Sequence, residues 1–212
     1  MTTALLQTTY FGPVQWYQKL NRYDHCVIEQ HDTYQKQTYK NRCVIATANG
    51  LQALTVPVEV SSNREEVKDV RISDHNNWRK VHWHALQSAY SESPFFDYYV
   101  DDIRPFFEKK YAFLIDFNEA IRQTICELVD IHPSVEYSSR FQVSSNSETT
   151  SSITGSRFQD FREVIRAKHP QEDAEFEVRP YWQVFQHRYG FQPNLSILDL
   201  LFCMGPESVF YL

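Results

Sequence analysis

The chain has 212 residues, enough for one large domain with a hydrophobic core, or for one domain with a small lobe. Hydrophobic residues make up 42% and aromatic residues 15% of the chain, which excludes an intrinsically disordered protein. The formal net charge of −6 excludes a general attraction to nucleic acid or anionic lipid, although it leaves room for a local basic pocket.

The cysteine pattern and the lengths of the apolar runs indicate the cellular compartment in which the protein is expected. No Cys-x-x-Cys pair occurs, and most cysteines lie in apolar runs, which is typical of buried thiols in a reducing compartment. The first residues lack the basic region of a signal peptide, and no apolar run approaches the roughly 18 residues of a membrane helix. We therefore expect a cytoplasmic protein that does not insert into a membrane. The cysteines are Cys26, Cys43, Cys126 and Cys203.

The chain opens with the pattern of a βαβ unit. Residues 4–9 are apolar enough for a short buried strand, and residues 10–13 follow as a Tyr-Phe-Gly-Pro turn. Pro13 suits the first turn of a helix, which is predicted to run to about Arg22. Residues 25–29 predict a second strand, so strand, turn, helix and strand follow each other within a short stretch.

A β-hairpin comes next. Two β-rich runs, residues 42–48 and 51–58, are joined by Asn49 and Gly50. Asn-Gly between such runs is the strongest short hairpin signal, because both turn residues must accept a positive φ. A further short strand is predicted at 67–72, and the sheet is therefore expected to be mixed.

Helices dominate the remainder. Residues 76–89 carry apolar side chains at helical spacing along one face. Nine of the thirteen residues at 144–156 are Ser or Thr, and the segment shows no apolar periodicity, which predicts a mobile surface loop. Further helices are predicted at 112–130, 158–167, 180–189 and 196–203, with a broken helical segment at 95–110 and a strand at 134–141.

These elements together predict the fold class. We expect an α/β fold with mixed α+β features, in which a mixed, partly parallel sheet with an antiparallel hairpin at 42–58 is flanked by helices. Residues 1–212 are expected to form a single domain. Ser196 and Asp199 have the spacing of a capping box at the start of the last helix, with Asp in the place of the usual Glu.

The polar loop before the hairpin concentrates hydrogen-bond donors. Arg42 can hold a phosphate or carboxylate through two parallel hydrogen bonds, and Lys36 adds a mobile positive charge. Asn41 and Tyr39 can hydrogen-bond the hydroxyl groups of a sugar. An alternative of equal weight is a solvated loop in which Arg42 pairs with one of the many carboxylates of the chain.

The turn after the first strand is a second candidate. Ligands of open α/β sheets bind beyond the carboxyl ends of the strands, where Tyr10 and Trp16 could stack on a sugar or hydrogen-bond to it. A tight turn with aromatic packing is the alternative. The sequence contains neither a Gly-x-Gly-x-x-Gly fingerprint nor a P-loop. The His-x-Gly-His motif of nucleotidylyltransferases is also missing, since residues 13–17 read Pro-Val-Gln-Trp-Tyr.

General bases and metal ligands are few. His82 lies on the apolar face of the predicted helix, whereas His84 points elsewhere, so the two make a poor metal site and we expect no bound metal. Asp32 and His82 are the candidate general bases, with burial adjusting their proton affinity. For His82, a histidine whose hydrogen bonds are satisfied within the core is the favoured alternative.

Several blocks of residues, taken in order, resemble the WbqC-like protein family, and the resemblance covers essentially the whole chain. The blocks are Tyr10-Phe11-Gly12-Pro13 with Trp16-Tyr17; Lys36 with Tyr39-Lys40-Asn41-Arg42-Cys43-Val44-Ile45; Leu54-Thr55-Val56-Pro57-Val58; Trp78, His82, Leu86, Tyr90 and Pro94-Phe95-Phe96; and Pro193-Asn194-Leu195-Ser196-Ile197-Leu198-Asp199-Leu200-Leu201-Phe202.

The resemblance implies a bacterial protein of cell-surface polysaccharide biosynthesis, as in O-antigen assembly. It implies a transferase of acyl or aminoacyl groups that acts on an activated sugar. The expected partner is therefore an anionic or nucleotide-linked sugar. In this interpretation Lys36, Asn41 and Arg42 bind the anion. Tyr10, Trp16 and Tyr39 contact the sugar, and Asp32 or His82 is the base. No cofactor is implied, and a homo-oligomer is left open.

Two alternatives belong to other classes. The first is a non-catalytic interaction or scaffold protein of the same pathway, for which the aromatic segment at 95–107 would be an exposed docking surface. The second is a nucleotide-binding protein similar to nucleotidylyltransferases. A polar pocket near Arg42 would favour the enzyme, and a large apolar patch at 95–107 would favour the scaffold.

Overall fold

A computed structural model describes residues 2–62, 64–143 and 157–212. Its strands are β1 (Thr2–Gln7), β2 (His25–Glu29), β3 (Arg42–Thr47), β4 (Gly50–Thr55), β5 (Val58–Glu59), β6 (Arg71–Ile72), β7 (Val135–Tyr137) and β8 (Arg157–Asp160). Its helices are α1 (Val14–Arg22), α2 (Trp78–Tyr90), α3 (Phe96–Ile103), α4 (Pro105–Glu108), α5 (Leu114–Leu128), α6 (Gln186–Tyr189) and α7 (Ile197–Met204).

The central sheet has four parallel strands in the order β7-β2-β1-β8. Leu5 of β1 lies between Val27 of β2 and Asp160 of β8. Ala4, Leu5 and Leu6 are all fully buried, as expected for a parallel strand that is covered on both faces. Because the four strands run in the same direction, their carboxyl ends meet at one edge of the sheet. This edge positions the candidate site.

Helix α1 is covered over most of its surface. Its apolar residues include Trp16, Tyr17 and Leu20, which are buried, but Lys19 is buried as well. The Lys19 ammonium forms an ion pair with Asp173 at 2.9 Å and lies 4.4 Å from the centre of the Phe161 ring. This pair fixes the segment around residue 173 against α1, since a buried ammonium requires a partner.

The hairpin forms a separate two-stranded sheet from β3 and β4. Gly50 has φ +100°, a conformation that residues other than glycine rarely adopt. It pairs with Thr47, so the two turn residues are Ala48 and Asn49, one position earlier than predicted, and the positive φ predicted for Asn49 is wrong. One face of the hairpin faces the core through Cys43, Ile45 and Leu54, which are buried. Strand β3 is tied to the start of α7 by the Ser196 backbone N–H, which donates to the Val44 carbonyl at 2.8 Å.

The second half of the chain packs helices around this framework. Helix α7 is buried over residues 197–203, and the Ser196 hydroxyl oxygen accepts from the Leu198 backbone N–H at its start. The predicted capping box is wrong in its second half. The Asp199 carboxylate accepts from Tyr90, Tyr181 and Gln183 and does not return to the helix start. Three donors inside the core compensate its burial.

The predicted α/β class, with parallel strands and an antiparallel hairpin, is confirmed. The parallel strands and the hairpin form separate sheets, however, and not one mixed sheet. The helix predicted at 158–167 is wrong, because this segment begins with β8 and then turns. Its backbone groups pair with β1, and this distant partner leaves no local signal. The loop predicted at 144–156 lies outside the described residues.

Two other elements are shorter than predicted. Residues 67–72 hold a 3-10 turn (Val67–Asp69) and only a two-residue strand, and residues 180–189 are helical only in α6. Within the described part of the chain, no helix combines the length and apolar character needed to cross a bilayer.

Candidate functional site

Charged side chains gather at the carboxyl edge of the parallel sheet. Strand β2 ends in Glu29, β8 ends in Asp160, and Arg162 follows β8 after one residue. Asp32 and Lys40 come from the loop between β2 and β3. Ligands of open α/β sheets bind at this edge, because the loops that follow the strands converge there.

Glu29 is fully buried and is held by neutral donors. Its Oε1 accepts from the Ser138 hydroxyl at 2.7 Å and from the His31 backbone N–H at 2.8 Å, while Oε2 accepts from the Gln142 backbone N–H at 2.7 Å. The guanidinium of Arg162 approaches Oε2 to 3.6 Å. These contacts hold the carboxylate in a defined position at the end of β2.

Arg162 is bound chiefly by Asp160. Its Nε lies 3.0 Å from Oδ1 and its Nη2 lies 2.7 Å from Oδ2, so the pair is bidentate, and Nη2 also donates to the Gln142 carbonyl at 2.8 Å. Burial disfavours the charged form. The hydrogen bonds to Asp160, with the charges of Asp160, Glu29 and Asp32, outweigh burial and raise the pKa of Arg162. The arginine is therefore a permanent cation.

Lys40 and Asp32 form the second ion pair of this edge. Lys40 Nζ lies 2.6 Å from Asp32 Oδ2, and the side chains are 2% and 25% exposed, respectively. Burial lowers the pKa of Lys40, and the charges of Arg162 and Arg166 lower it further, although Asp32 acts in the opposite direction. The Asp32 carboxylate is the member of the pair that solvent reaches.

Residues 39–41 run between this edge and the interior. The Tyr10 backbone N–H donates to the Tyr39 carbonyl at 2.9 Å, and the Asn118 amide donates to the Lys40 carbonyl at 2.8 Å. Asn41 is buried and donates to the Val56 carbonyl at 2.8 Å. The backbone on both sides of Lys40 is therefore fixed by contacts from other elements.

Three buried oxygen atoms near this segment have no hydrogen-bond partner within the described part of the chain. They belong to Thr9, Asn41 and Asn118. Thr9 and Asn118 line a narrow crevice together with Trp16 and Arg122, just beyond the end of β1. Buried polar atoms are paired in most proteins, so these three oxygens are exceptions, but the crevice has no room for a water-sized molecule beside them.

Arg42 lies half-buried at the start of the hairpin. Its Nε donates to the Thr55 hydroxyl at 3.1 Å, and among the described residues it has no carboxylate within ion-pair distance. Lys36 is exposed and likewise forms no ion pair there. The alternative in which Arg42 pairs with a carboxylate of the chain is therefore not found in the described structure.

Tyr10 and His82 lie in the interior. The Tyr10 hydroxyl oxygen is 2.9 Å from Nδ1 of His82, and the aromatic rings of Trp78 and Phe117 pack around them. Burial lowers the pKa of His82 to about 4, although a hydrogen bond to the backbone of Thr55 acts against this. The imidazole is neutral at physiological pH.

The predicted site residues fall into two groups: Tyr10, Trp16 and His82 lie in the interior, whereas Asp32 lies at the carboxyl edge of the sheet. Trp16 is also interior, where its Nε1–H donates to the Gln7 carbonyl at 2.9 Å. The structure brings Asp32 to the carboxyl edge. No contact in the described residues joins Asp32 to His82, so the two predicted bases belong to different environments.

The sequence profile of the WbqC-like protein family matches residues 7–211. The chain belongs to the WbqC-like protein family. An uncharacterized protein of Mycobacterium tuberculosis (strain ATCC 25618 / H37Rv), Rv1507c, is 27% identical over 228 residues, which cover 99% of this chain and 96% of that protein. No solved structure matches the chain. The resemblance predicted from the sequence is therefore confirmed at the level of the family.

The charged edge of this WbqC-like protein contains residues that the sequence did not single out. Glu29 and Lys40 were visible at the end of a strand and in the polar loop, but their burial was not. Arg162 and Asp160 were placed in a predicted helix, which hid their position after a strand. In the described residues, no cluster of three or more His, Cys, Asp or Glu side chains could hold a metal ion.

Proposed function

We propose that this WbqC-like protein is a cytoplasmic transferase that moves an acyl or aminoacyl group on an activated sugar in cell-surface polysaccharide biosynthesis. The observation that carries the proposal is the Asp32–Lys40 pair at the carboxyl edge of the sheet, with one accessible carboxylate and one buried cation. Lys40 combines burial, a lowered pKa and a partner of opposite charge, and ionisable groups of this kind concentrate at catalytic sites.

In this proposal Asp32 is the general base. The nucleophilic amine or hydroxyl of the sugar loses its proton to Asp32 as it forms a bond to the acyl carbon, and the leaving group departs with its bonding electrons. Lys40 holds Asp32 in position through the 2.6 Å contact. His82 remains a predicted base, but its interior position and its bond to Tyr10 favour Asp32 for this role.

Arg42 and Lys36 are proposed to bind the anionic part of the ligand. The guanidinium of Arg42 has an internal bond only from Nε to Thr55 among the described residues, which leaves the two Nη groups to form a bidentate contact. Asn41 is proposed to act beside it. Asn41, Tyr10, Trp16 and Tyr39 are all buried, so their predicted contacts with the ligand require this part of the protein to open.

The first alternative, a scaffold that docks through residues 95–107, has less support. Phe96, Tyr99, Phe106 and Phe107 are all buried, and Tyr98 is the exposed aromatic residue of this segment. The aromatic side chains therefore serve the core and leave no broad apolar patch.

The test compares the wild-type protein with the Arg42→Ala variant. The affinity of each for nucleotide-linked sugars is measured by isothermal titration calorimetry. Loss of a bidentate anion contact is expected to weaken binding roughly tenfold to a hundredfold, and the melting temperature should change by no more than about 2 °C. Arg64→Ala is the matched control, because Arg64 is an exposed loop arginine.

Two outcomes would contradict the proposal. One is that no nucleotide-linked sugar binds the wild-type protein. The other is that Arg42→Ala lowers the melting temperature while it leaves binding unchanged. Equal binding of the free nucleotide and the nucleotide-linked sugar would instead support the nucleotidylyltransferase-like alternative.

A further inference from the structure

A cleft lies between the turn end of the hairpin and the segment at 183–192. Its volume is about 140 Å³. It shares no residue with the charged carboxyl edge. Gly50 and Gly190 are among the residues that line it. A methyl group added at either glycine would meet no atom within 4 Å, so the space beside them is open. The other lining residues are Ala46, Leu51, Gln183, Phe185, Tyr189 and Gln192.

The walls of the cleft are held by hydrogen bonds. The Arg188 guanidinium and the Tyr189 hydroxyl both donate to the Ala48 carbonyl, at 2.6 and 2.8 Å, and so join the segment to the hairpin turn. Gln183 is buried, and its amide donates to Asp199 at 2.9 Å. These contacts hold the hairpin turn and the segment at 183–192 in a fixed relative position, and a site whose walls are fixed loses less freedom when a ligand binds.

The polar groups of the lining are already engaged inside the protein. The Gln183 amide donates to the Gln192 carbonyl and accepts from the Gln192 backbone N–H, at 2.9 and 2.8 Å. The side-chain amide of Gln192 donates to the Tyr189 carbonyl at 2.9 Å. No charged residue lines the cleft. The neighbouring Arg188 guanidinium lies over the Tyr189 ring and is already bonded to the Ala48 carbonyl. An ion that entered would lose its hydration, and this cation would have to give up an existing contact to pair with it.

The remaining surface is apolar. Leu51 is 58% exposed at the rim, beside Ala46 and the ring of Phe185. An enclosed apolar cavity of about 150 Å³ holds one benzene molecule, so the space in this open cleft matches the size of a single ring or a short branched chain that stays in part exposed to solvent. Burial of that much carbon surface is favourable by the hydrophobic effect.

We propose that this cleft is a binding site for one uncharged apolar group, the size of a single aromatic ring or a short branched acyl chain. The ligand class follows from the volume, the engaged polar groups and the uncharged lining. The site is independent of the proposed transferase chemistry, because it involves neither Asp32 nor Arg42.

The test uses small probes and the full chain. Benzene represents the ring and methyl isobutyrate represents the acyl chain, with benzoate and isobutyrate as their charged counterparts. Saturable NMR shifts of Phe185 and Tyr189 should report binding of at least one neutral probe. The charged counterpart should bind roughly tenfold more weakly, because the residues that line the cleft are uncharged and Arg188 is already bonded to the Ala48 carbonyl. Arg42→Ala should leave probe binding unchanged.

Two variants locate the site. Leu51→Glu places a charge at the rim and should weaken binding of the neutral probe roughly fivefold or more, while Gln52→Glu, on the next exposed residue and the opposite hairpin face, should not. Ala46→Leu fills the cleft and should also weaken binding, with Ala53→Leu as its control, since Ala53 shares the hairpin face but does not line the cleft.

The proposal is overturned if neither neutral probe binds saturably to the wild-type protein, or if the charged counterparts bind equally well. It is also overturned if Leu51→Glu binds the probe like the wild-type protein. Because Leu51 is largely exposed, this variant tests the site even if Ala46→Leu fails to fold.

Discussion

Lys40 and Arg162 are compensated in different ways at the carboxyl edge of the sheet. Arg162 forms a bidentate contact with Asp160, whereas Lys40 forms its ion pair with Asp32 through a single contact. Lys40 is 2% exposed and cannot be solvated, but a quarter of the Asp32 side chain is exposed. A ligand that displaces solvent from Asp32 therefore also changes the environment of the buried ammonium, which couples binding at the edge to the charge of Lys40.

The pKa of His82 predicts how stability depends on pH. In the folded protein it is lowered to about 4, from 6.5 in the unfolded chain. As the pH falls below 6.5, the unfolded chain takes up a proton first, and the folded state loses stability until it also becomes protonated near pH 4. The expected loss is roughly 3 kcal/mol, and no loss from this residue is expected above about pH 7.

Urea unfolding at several pH values checks this expectation. His82→Gln should show a shallower fall in the free energy of unfolding between about pH 6.5 and pH 4 than the wild-type protein. His132→Gln is the control and should keep the wild-type slope, because the His132 side chain is 81% exposed. Identical slopes for His82→Gln and the wild-type protein would show that His82 is not the cause.

At the scale of elements, the end of α7 depends on one glycine. Gly205 follows α7 with φ +55°, and a Cβ atom added there would lie 2.5 Å from the Phe95 ring. Gly205→Ala is therefore expected to cost both backbone strain and overpacking, about 2–5 kcal/mol of the free energy of unfolding. Denaturant unfolding measures the cost.

Gly190→Ala separates the two contributions. Gly190 has φ +69°, so the backbone strain is similar, but an added Cβ meets no atom within 4 Å. Its cost should be confined to the strain, about 1–3 kcal/mol. If both variants lose the same free energy, contact with Phe95 contributes nothing and the overpacking argument is wrong.

Local signals explain which elements the sequence could predict. The hairpin was predictable because its two strand-like runs and its turn lie within one short stretch, although the turn falls at Ala48 and Asn49 and only Gly50 has the expected positive φ. The segment at 158–167 was not, because its structure depends on pairing with β1, about 150 residues earlier in the chain. The same error concealed Arg162 and Asp160, so the sequence predicted Asp32 as a site residue without its charged surroundings.

At the scale of the whole molecule, the central strand depends on the end of the chain. Strand β1 pairs with β2 on one side and with β8 on the other, and α7 is buried in the core. A chain that ends at residue 143 would lack β8 and α7 and would expose the surfaces they cover. We expect such a chain to show no cooperative thermal unfolding by near-ultraviolet circular dichroism, in contrast to the full chain. A cooperative transition would contradict this dependence.

The hairpin register also sets the distance between Arg42 and the apolar cleft. Arg42, Val44 and Ala46 alternate onto one face of β3, and they pair with Thr55, Ala53 and Leu51 of β4. Four residues of extended chain place Arg42 about 13 Å from the cleft. A single molecule that touches both must therefore carry an anionic end, an apolar end and a spacer of that length lying over Val44 and Ala53. Any ligand as small as one ring can occupy one position or the other, but it cannot bridge them.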